Sequence, residues 1–324
     1  MTVRQTSEEL FRTILTIRRF EERVVTLVNQ NKIAGVTHEC IGQEAVAVGV
    51  CAALRPSDVI TSTHRGHGHV IAKGADVRAM MAELFGRETG MNRGRGGSMH
   101  IADLSLGIYG ANGMVGAGAP FAAGAAWAAK RSRSDRVAVA FFGDGGVNQG
   151  VVMETMNLAA LWGLPVIFVC ENNGYAVSLP SEESTAGSIV DRAAAYGMAV
   201  ASEDGMDVEL VLAAAATAVD HARRGDGPFF LEFRTYRYAG HHTAESTMGL
   251  SYRTEAEINR WRERDPVRSA AAPLGPEVRA AIEAEVEDLI DEAVAFADAG
   301  PWPTPESVLT DVYASGLRAR AGSV

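Results

Sequence analysis

The apolar run "VAVAFF" (137–142) is followed at once by "GDGG" (143–146), and 26 residues separate Gly145 from Asn172 and Asn173. This pattern places a carboxylate, Asp144, between glycines, and adds side-chain and main-chain oxygens from the "NNGY" turn. A small set of hard oxygen donors suits Mg²⁺, which takes few protein ligands and completes its octahedron with phosphate oxygens and water. Gly143, Gly145 and Gly146 lack the Cβ atoms that would hold a phosphate away, and a helix N-terminus after them favours an anion. Asp144, Asn173 and the backbone at Tyr175 are therefore candidate metal ligands, and the chemistry reads as a metal with a diphosphate. Either motif alone is usually only a turn; together, at the ends of two strands, they are far more specific. A dinucleotide site needs G-x-G-x-x-G after its strand, and here Asp144 would face the pyrophosphate with no metal between. No G-x-x-x-x-G-K-[ST] stretch is present, which excludes a P-loop.

Positioning these residues takes a strand, a helix and a second strand. "RVAVAFFGDGG" reads as a buried strand, "VNQGVVMETMNLAALW" as a helix with Val152, Met156, Ala159 and Ala160 on one face, and "LPVIFVCENN" as the next strand. That βαβ unit implies parallel strands. A further strand and helix in "AYGMAVASEDGMDVELVLAAAATAVDHARRG" and a strand in "PFFLEFRTYRY" continue the alternation. The expected fold is a doubly wound, mostly parallel α/β domain over 36–253, whose ligands sit beyond the carboxyl ends of its strands. A helical N-terminal arm (1–35) precedes it, with Leu10, Ile14, Ile17, Val24, Leu27 and Val28 at helical spacing. A charged helical extension (254–324) follows it. "DVRAMMAELFG" reads as a helix capped by Asp76. "DVITSTHRGHGHVIAKG" reads as a short strand entering a polar, His-rich turn, with His67 and His69 organising that turn. His221 falls at a helix end and reads as structural. "GANGMVGAGAPFAAGAAWAAK" begins as a loop and becomes an alanine-rich helix, fit for close packing within the chain or against another one.

Composition bounds the function. The chain has 324 residues, 47% hydrophobic and 22% charged, ordinary for a globular protein. Lys and Arg number 30 against 40 Asp and Glu, a net charge of −10 that disfavours nucleic acid as a partner. No apolar run is long enough to span a membrane, and the amino-terminal residues show no signal-peptide core. Cys40, Cys51 and Cys170 are widely spaced, without a CxxC, and read as reduced, buried thiols of a cytoplasmic protein.

GDG, 26 residues, then NN is the signature of thiamine-diphosphate enzymes. Over nearly its whole length the chain resembles the α subunit of the decarboxylating component of 2-oxo acid dehydrogenase complexes. The resemblance runs through "HECIGQEA", "THRGHGHVIAKG", "AELFGRETGMNRGRGGSMHIAD", "GANGMVGAG" and "RTYRYAGHH". "STHRGHGHVIAKGADVRAMMAELFG" is most similar to acetoin dehydrogenase α subunits; pyruvate-type chains more often carry Tyr where His64 stands. The resemblance implies a thiamine-diphosphate-binding fold, with Asp144, Asn173 and the Tyr175 carbonyl holding Mg²⁺ on the cofactor diphosphate. It implies that Gly145, Gly146, Arg65 and His64 contact the phosphates, and that Gly113 and Val115 lie along the aminopyrimidine. His38 matches a His near the substrate end. Counted without gaps from "TYRY", His241 takes the family's catalytic histidine position; matched on G-H-H, His242 does. In that second register Thr243 stands where regulated relatives carry a phosphoacceptor Ser.

The activating Glu of the family lies on a β subunit, so the resemblance implies two α and two β chains, with this chain inactive alone. It also implies cleavage of acetoin, or decarboxylation of pyruvate or a branched-chain 2-oxo acid, with transfer of the acyl fragment to a lipoyl group on a separate acyltransferase core. Two other readings keep the same motifs: a carboligase of the same architecture, and a non-catalytic regulatory subunit. A nicotinamide oxidoreductase is a third, and specific binding of NAD by the isolated chain would mark it.

Overall fold

The computed structural model describes residues 5–245, 249 and 251–310. Five parallel strands form its sheet: β1 (Val59–Thr61), β2 (Ala138–Gly143), β3 (Val166–Asn172), β6 (Ala199–Asp204) and β7 (Phe229–Arg234), in the order β1-β2-β3-β7-β6. Two short strands, β4 (Tyr175–Ala176) and β5 (Leu179–Pro180), form a separate hairpin. Ala138, Ala140 and Phe142 face one side, and Val139 and Phe141 the other, in separate hydrophobic clusters. Burial on both faces is why these strands read as unbroken apolar runs. Helices α5 (Gly118–Arg131) and α6 (Gly150–Leu161) cover the first face; α1 (Ser7–Asn29), α2 (Glu44–Ala52) and the helix Val208–Arg224 pack on the second. The α/β fold with helical ends expected from the sequence is thus present. In α6, Val152, Thr155, Met156 and Ala159 are buried, while Ala160 is only half-buried.

The two ends of the chain share one core. Helix α1 starts with a capping box, Thr6 and Glu9 each accepting from the other's backbone N–H. It buries Leu10, Phe11, Ile14, Ile17, Phe20 and Val24. The long carboxy-terminal helix Pro276–Ala299 adds Ile282, Val286, Ile290, Ala293 and Ala297 to the same cluster. No described helix is long and apolar enough to cross a membrane. All three cysteines are buried and free, and burial pushes the Cys51 thiol up to about 12.

The His-rich segment after β1 is not a turn: His67–Ala72 forms the helix α3. Its histidines go inward because distant partners receive them. His67 Nδ1 is 2.8 Å from Glu21 Oε2, and its Nε2 is 2.9 Å from Ser98 Oγ. Burial opposes charge on both members of the His67–Glu21 pair, but their attraction prevails, so His67 is raised and Glu21 lowered. His69 stacks on Phe141 at 3.9 Å and meets Ser62 Oγ through Nδ1 at 2.7 Å.

The glycine-rich loop after α4 (Val77–Leu84) is organised by one fully buried carboxylate. Glu83 Oε2 accepts the N–H groups of Asn92 and Gly94, both at 2.8 Å, and Oε1 those of Gly96 at 2.7 Å and Gly97 at 3.0 Å. Four amides solvate the carboxylate in place of water. Glu83→Gln would turn an NH₂ group toward two of these donors. We expect it to cost about 3 kcal/mol in denaturant unfolding and to expose residues 90–97 to proteolysis. Unchanged stability would mean that the loop holds its shape without this carboxylate.

Candidate cofactor site at the carboxyl edge of the sheet

Four parallel strands end on one cavity. Arg65 follows β1, Asp144 is the residue after β2, Asn173 the residue after β3, and Arg237 lies just beyond β7. Strands β2 and β3 pair through Gly143 and Glu171, so Asp144 and Asn173 emerge side by side. This is the carboxyl edge where ligands of open α/β sheets bind.

Asp144 lines the cavity, is 2% exposed, and has an Oδ2 buried without a hydrogen-bond partner. Burial holds its pKa above the usual carboxylate range. Asn173 donates through Nδ2 to Gln43 Oε1 at 3.1 Å, and its Oδ1 accepts the Tyr175 N–H at 3.1 Å. The Tyr175 phenol is turned aside to Glu257, at 2.9 Å. Gly145 is required by packing as well as by ligand approach: a Cβ there would lie 2.7 Å from the Ala176 Cβ. Gly146 is roomier, its nearest atom being the Phe142 Cβ at 3.4 Å.

Two buried guanidinium groups face the same space. Arg65 donates through Nη1 to the Glu39 carbonyl at 2.5 Å and through Nη2 to the His241 carbonyl at 3.1 Å. Arg237, 2% exposed, donates through Nη2 to the Val177 carbonyl at 3.0 Å and to the Tyr252 hydroxyl at 2.6 Å. Among the described residues neither forms an ion pair with a carboxylate. Burial, and then Arg237, push Arg65 down to about 10. Two desolvated cations held by neutral carbonyls and a hydroxyl leave charge to be matched by an anion.

His241 also lines the cavity. Its N–H donates to Glu245 Oε2 at 2.7 Å, and its Nδ1 is 3.4 Å from Arg65 Nη2. Arg253 secures the segment before it, donating to the carbonyls of Arg237 and Ala239. Burial, then Arg65 and Arg237, hold the His241 ring down to about 2. Burial and then Arg65 lower His64 to about 3 and His38 to about 4. All three imidazoles are neutral at neutral pH.

The cavity thus brings together His64, Arg65, Val115, Asp144, Gly145, Gly146, Asn173, Tyr175 and His241. His38 stands behind the wall, its ring centroid 4.8 Å from His64 and 4.9 Å from His241. His242 is off the wall, 5.8 Å from His241. Gly113 is also off the wall, where a Cβ would make an ordinary 3.8 Å contact with His100. Thr243 is buried, its Oγ1 accepting the Thr37 N–H at 3.1 Å and its N–H donating to the Thr37 carbonyl at 3.0 Å.

Six wall residues carry no sequence-derived role: Gln43, Thr63, Glu171, Ala176, Val177 and Arg237. Gln43 and Arg237 lie within quoted motifs, and Glu171 directly precedes the Asn pair.

Comparison with known proteins agrees with this geometry. The family model described as "Dehydrogenase E1 component" matches residues 12–306. The α subunit of acetoin:2,6-dichlorophenolindophenol oxidoreductase from Bacillus subtilis is 47% identical, with 94% of this chain and 93% of that one covered. The protein of the same description from Cupriavidus necator is 45% identical, with 96% and 95% covered. The pyruvate dehydrogenase E1 component α subunit of Zymomonas mobilis is 42% identical, with 94% and 87% covered. With a family match across nearly the whole chain and relatives this similar over nearly their full length, the chain belongs to the dehydrogenase E1 component family.

Proposed function

We propose that this chain is the α subunit of a thiamine-diphosphate-dependent oxidoreductase component that cleaves acetoin or decarboxylates a small 2-oxo acid. The observation that carries the reading is the buried Asp144 Oδ2, unpartnered among the described residues, in the same cavity as two buried arginines that have no counter-ion among those residues. An orphaned carboxylate beside Asn173 fits a hard cation, and the arginines fit the diphosphate that such a cation accompanies. Asp144, Asn173 and the Tyr175 backbone would hold Mg²⁺; Arg65 and Arg237 would neutralise the phosphates. Bound thiamine diphosphate supplies the nucleophilic carbon for the substrate carbonyl. His241, through the ring nitrogen turned away from Arg65, would hold or move a proton at the substrate oxygen. Closure of the site by a second subunit would exclude water around that oxygen.

A β subunit would complete the site. Met114, Val115 and Val177 are exposed apolar residues, and the last two lie on the cavity wall. On the helices covering the same face of the sheet, Phe121, Trp127, Leu161 and Trp162 are exposed as well. Large exposed apolar side chains on neighbouring elements mark an interface. The relatives' description as α subunits supports a β partner. Leu161→Asp is expected to weaken co-purification with the β chain by about tenfold or more while leaving the isolated chain folded. Undiminished assembly would move the interface elsewhere. Two α with two β chains, acyl transfer to a lipoyl group on a separate core, and a cytoplasmic location complete the proposal.

The test is reduction of 2,6-dichlorophenolindophenol by the chain co-expressed with its β subunit, supplied with thiamine diphosphate and Mg²⁺. Acetoin, pyruvate and branched-chain 2-oxo acids are compared. Two relatives are described by their action on acetoin with this dye, so acetoin is the expected substrate. Reduction with pyruvate alone would reassign the substrate. Carbon–carbon bond formation without dye reduction would indicate a carboligase.

A further inference from the structure

Three imidazoles converge at the cavity wall, two lining it and His38 behind them, and the proposed chemistry uses only one of them. The ligand nitrogens of His38, His64 and His241 all lie within 4.8 Å of one another. They come from three separate segments: His38 before α2, His64 after β1, and His241 after β7. His38 is 8% exposed, and its Nδ1 is buried with no hydrogen-bond partner. Ligation through His241 Nε2 places the ring proton on Nδ1, so Arg65 Nη2, 3.4 Å from that nitrogen, must turn to the His241 carbonyl that it already reaches at 3.1 Å.

We infer that His38, His64 and His241 form a binding site for a borderline transition-metal ion of the Zn²⁺ class, separate from the hard-oxygen donors at Asp144 and Asn173. Imidazole nitrogen suits Zn²⁺, Co²⁺ and Ni²⁺, whereas Mg²⁺ prefers carboxylate and carbonyl oxygen, so the two donor sets select different metals. Three protein nitrogens with an open fourth position are a familiar zinc arrangement. Bonds of about 2.0–2.1 Å in a tetrahedron set the nitrogens about 3.3 Å apart. The rings must therefore close in from their present spacing, which side-chain rotation provides. Arg65 and Arg237 oppose a bare cation here, and the same arginines favour an anion as fourth ligand. An occupied site places a metal against the open nitrogen of His241 and so blocks turnover. The inference does not depend on the proposed activity, because it concerns the chain without cofactor.

The test uses the full chain, stripped of metal by a chelator and titrated with Co²⁺, whose visible absorption intensifies in tetrahedral nitrogen coordination. One equivalent is expected to bind with that spectrum and to be displaced by Zn²⁺ but not by excess Mg²⁺. His38→Ala and His64→Ala are each expected to weaken Co²⁺ binding at least about tenfold. Asp144→Ala, in the hard-oxygen donor set, and His221→Ala, outside the cavity, are expected to leave Co²⁺ binding unchanged. His38→Gln preserves more of the packing if the alanine variant does not fold. Absence of stoichiometric binding, an octahedral spectrum, or binding indifferent to both His38 and His64 would overturn the site.

Discussion

Asp144→Asn is expected to abolish Mg²⁺-dependent binding of thiamine diphosphate while leaving the bare chain at least as stable as before. The two effects have opposite signs for one physical reason. Asp144 is a buried carboxylate with an oxygen that has no hydrogen-bond partner among the described residues. Burial raises its folded-state pKa above the unfolded value. A group raised in this way contributes stability below the unfolded pKa and loses that contribution as pH rises through the folded one. At neutral pH the ionised group is therefore a burden on the empty protein. Asn keeps the shape and removes the charge, so thermal unfolding without ligand should occur at the same or a higher temperature. The difference between the two proteins should shrink as pH falls and the native carboxyl takes up its proton. With cofactor and Mg²⁺ present the native chain gains stability by mass action, and the variant should not. Loss of groups that merely support a metal ligand costs 10- to 100-fold in affinity, so losing the ligand itself should cost about 100-fold or more. Calorimetric titration and paired melting curves read both quantities. A variant markedly less stable without ligand would make Asp144 a brace of the β2 turn rather than a ligand held in waiting.

What could be read from the sequence follows from how local each signal is. The β2–α6–β3 unit was legible because strands buried on both faces are continuous apolar runs, and the helix between them carries its own periodicity. Asp144 and Asn173 were legible because each sits one residue past such a strand. Helix α3 was not, because polar His67 and His69 imitate a turn. What buries them is Glu21, Ser98, Ser62 and Phe141, partners that no local window contains. Arg237 was hidden for a topological reason. Strand β7 is inserted between β3 and β6, and only that order brings its carboxyl end beside the Asn pair. Nothing in "RTYRY" reports where the strand lies in the sheet. Gly145 carried a second demand that spacing could not reveal, the close approach of Ala176 from the β4 hairpin.

The sequence left two registers for the catalytic histidine, and the geometry separates their consequences. His241→Ala is expected to lower kcat by about 10²- to 10³-fold, within the range of a positioned proton-transfer group, and His242→Ala by less than about tenfold. His241 is on the cavity wall, its backbone is held by Glu245, and its Nδ1 is directed at Arg65. His242 is off the wall, its Nδ1 buried without a partner. The ionisation state adds a sharper requirement. Burial, then Arg65 and Arg237, hold the His241 ring down to about 2 in the chain without cofactor, so it is expected to act as a neutral hydrogen-bonding group with one mobile proton, not as a cation. An acid limb in kcat/KM cannot then come from this ring. Glu39, which burial and then Glu21 push up to about 7, is the neighbouring group able to give one. The pH profile should therefore keep its shape in His241→Asn while its height falls. An acid limb that vanishes with His241 would mean that the ring ionises in the working enzyme, and an activity loss confined to His242→Ala would restore the G-H-H register. With His241 confirmed, Arg65 becomes the group that biases its tautomer in the metal-free chain: a guanidinium has no lone pair to offer, so where Nδ1 accepts from it the imidazole proton sits on Nε2, free for the substrate.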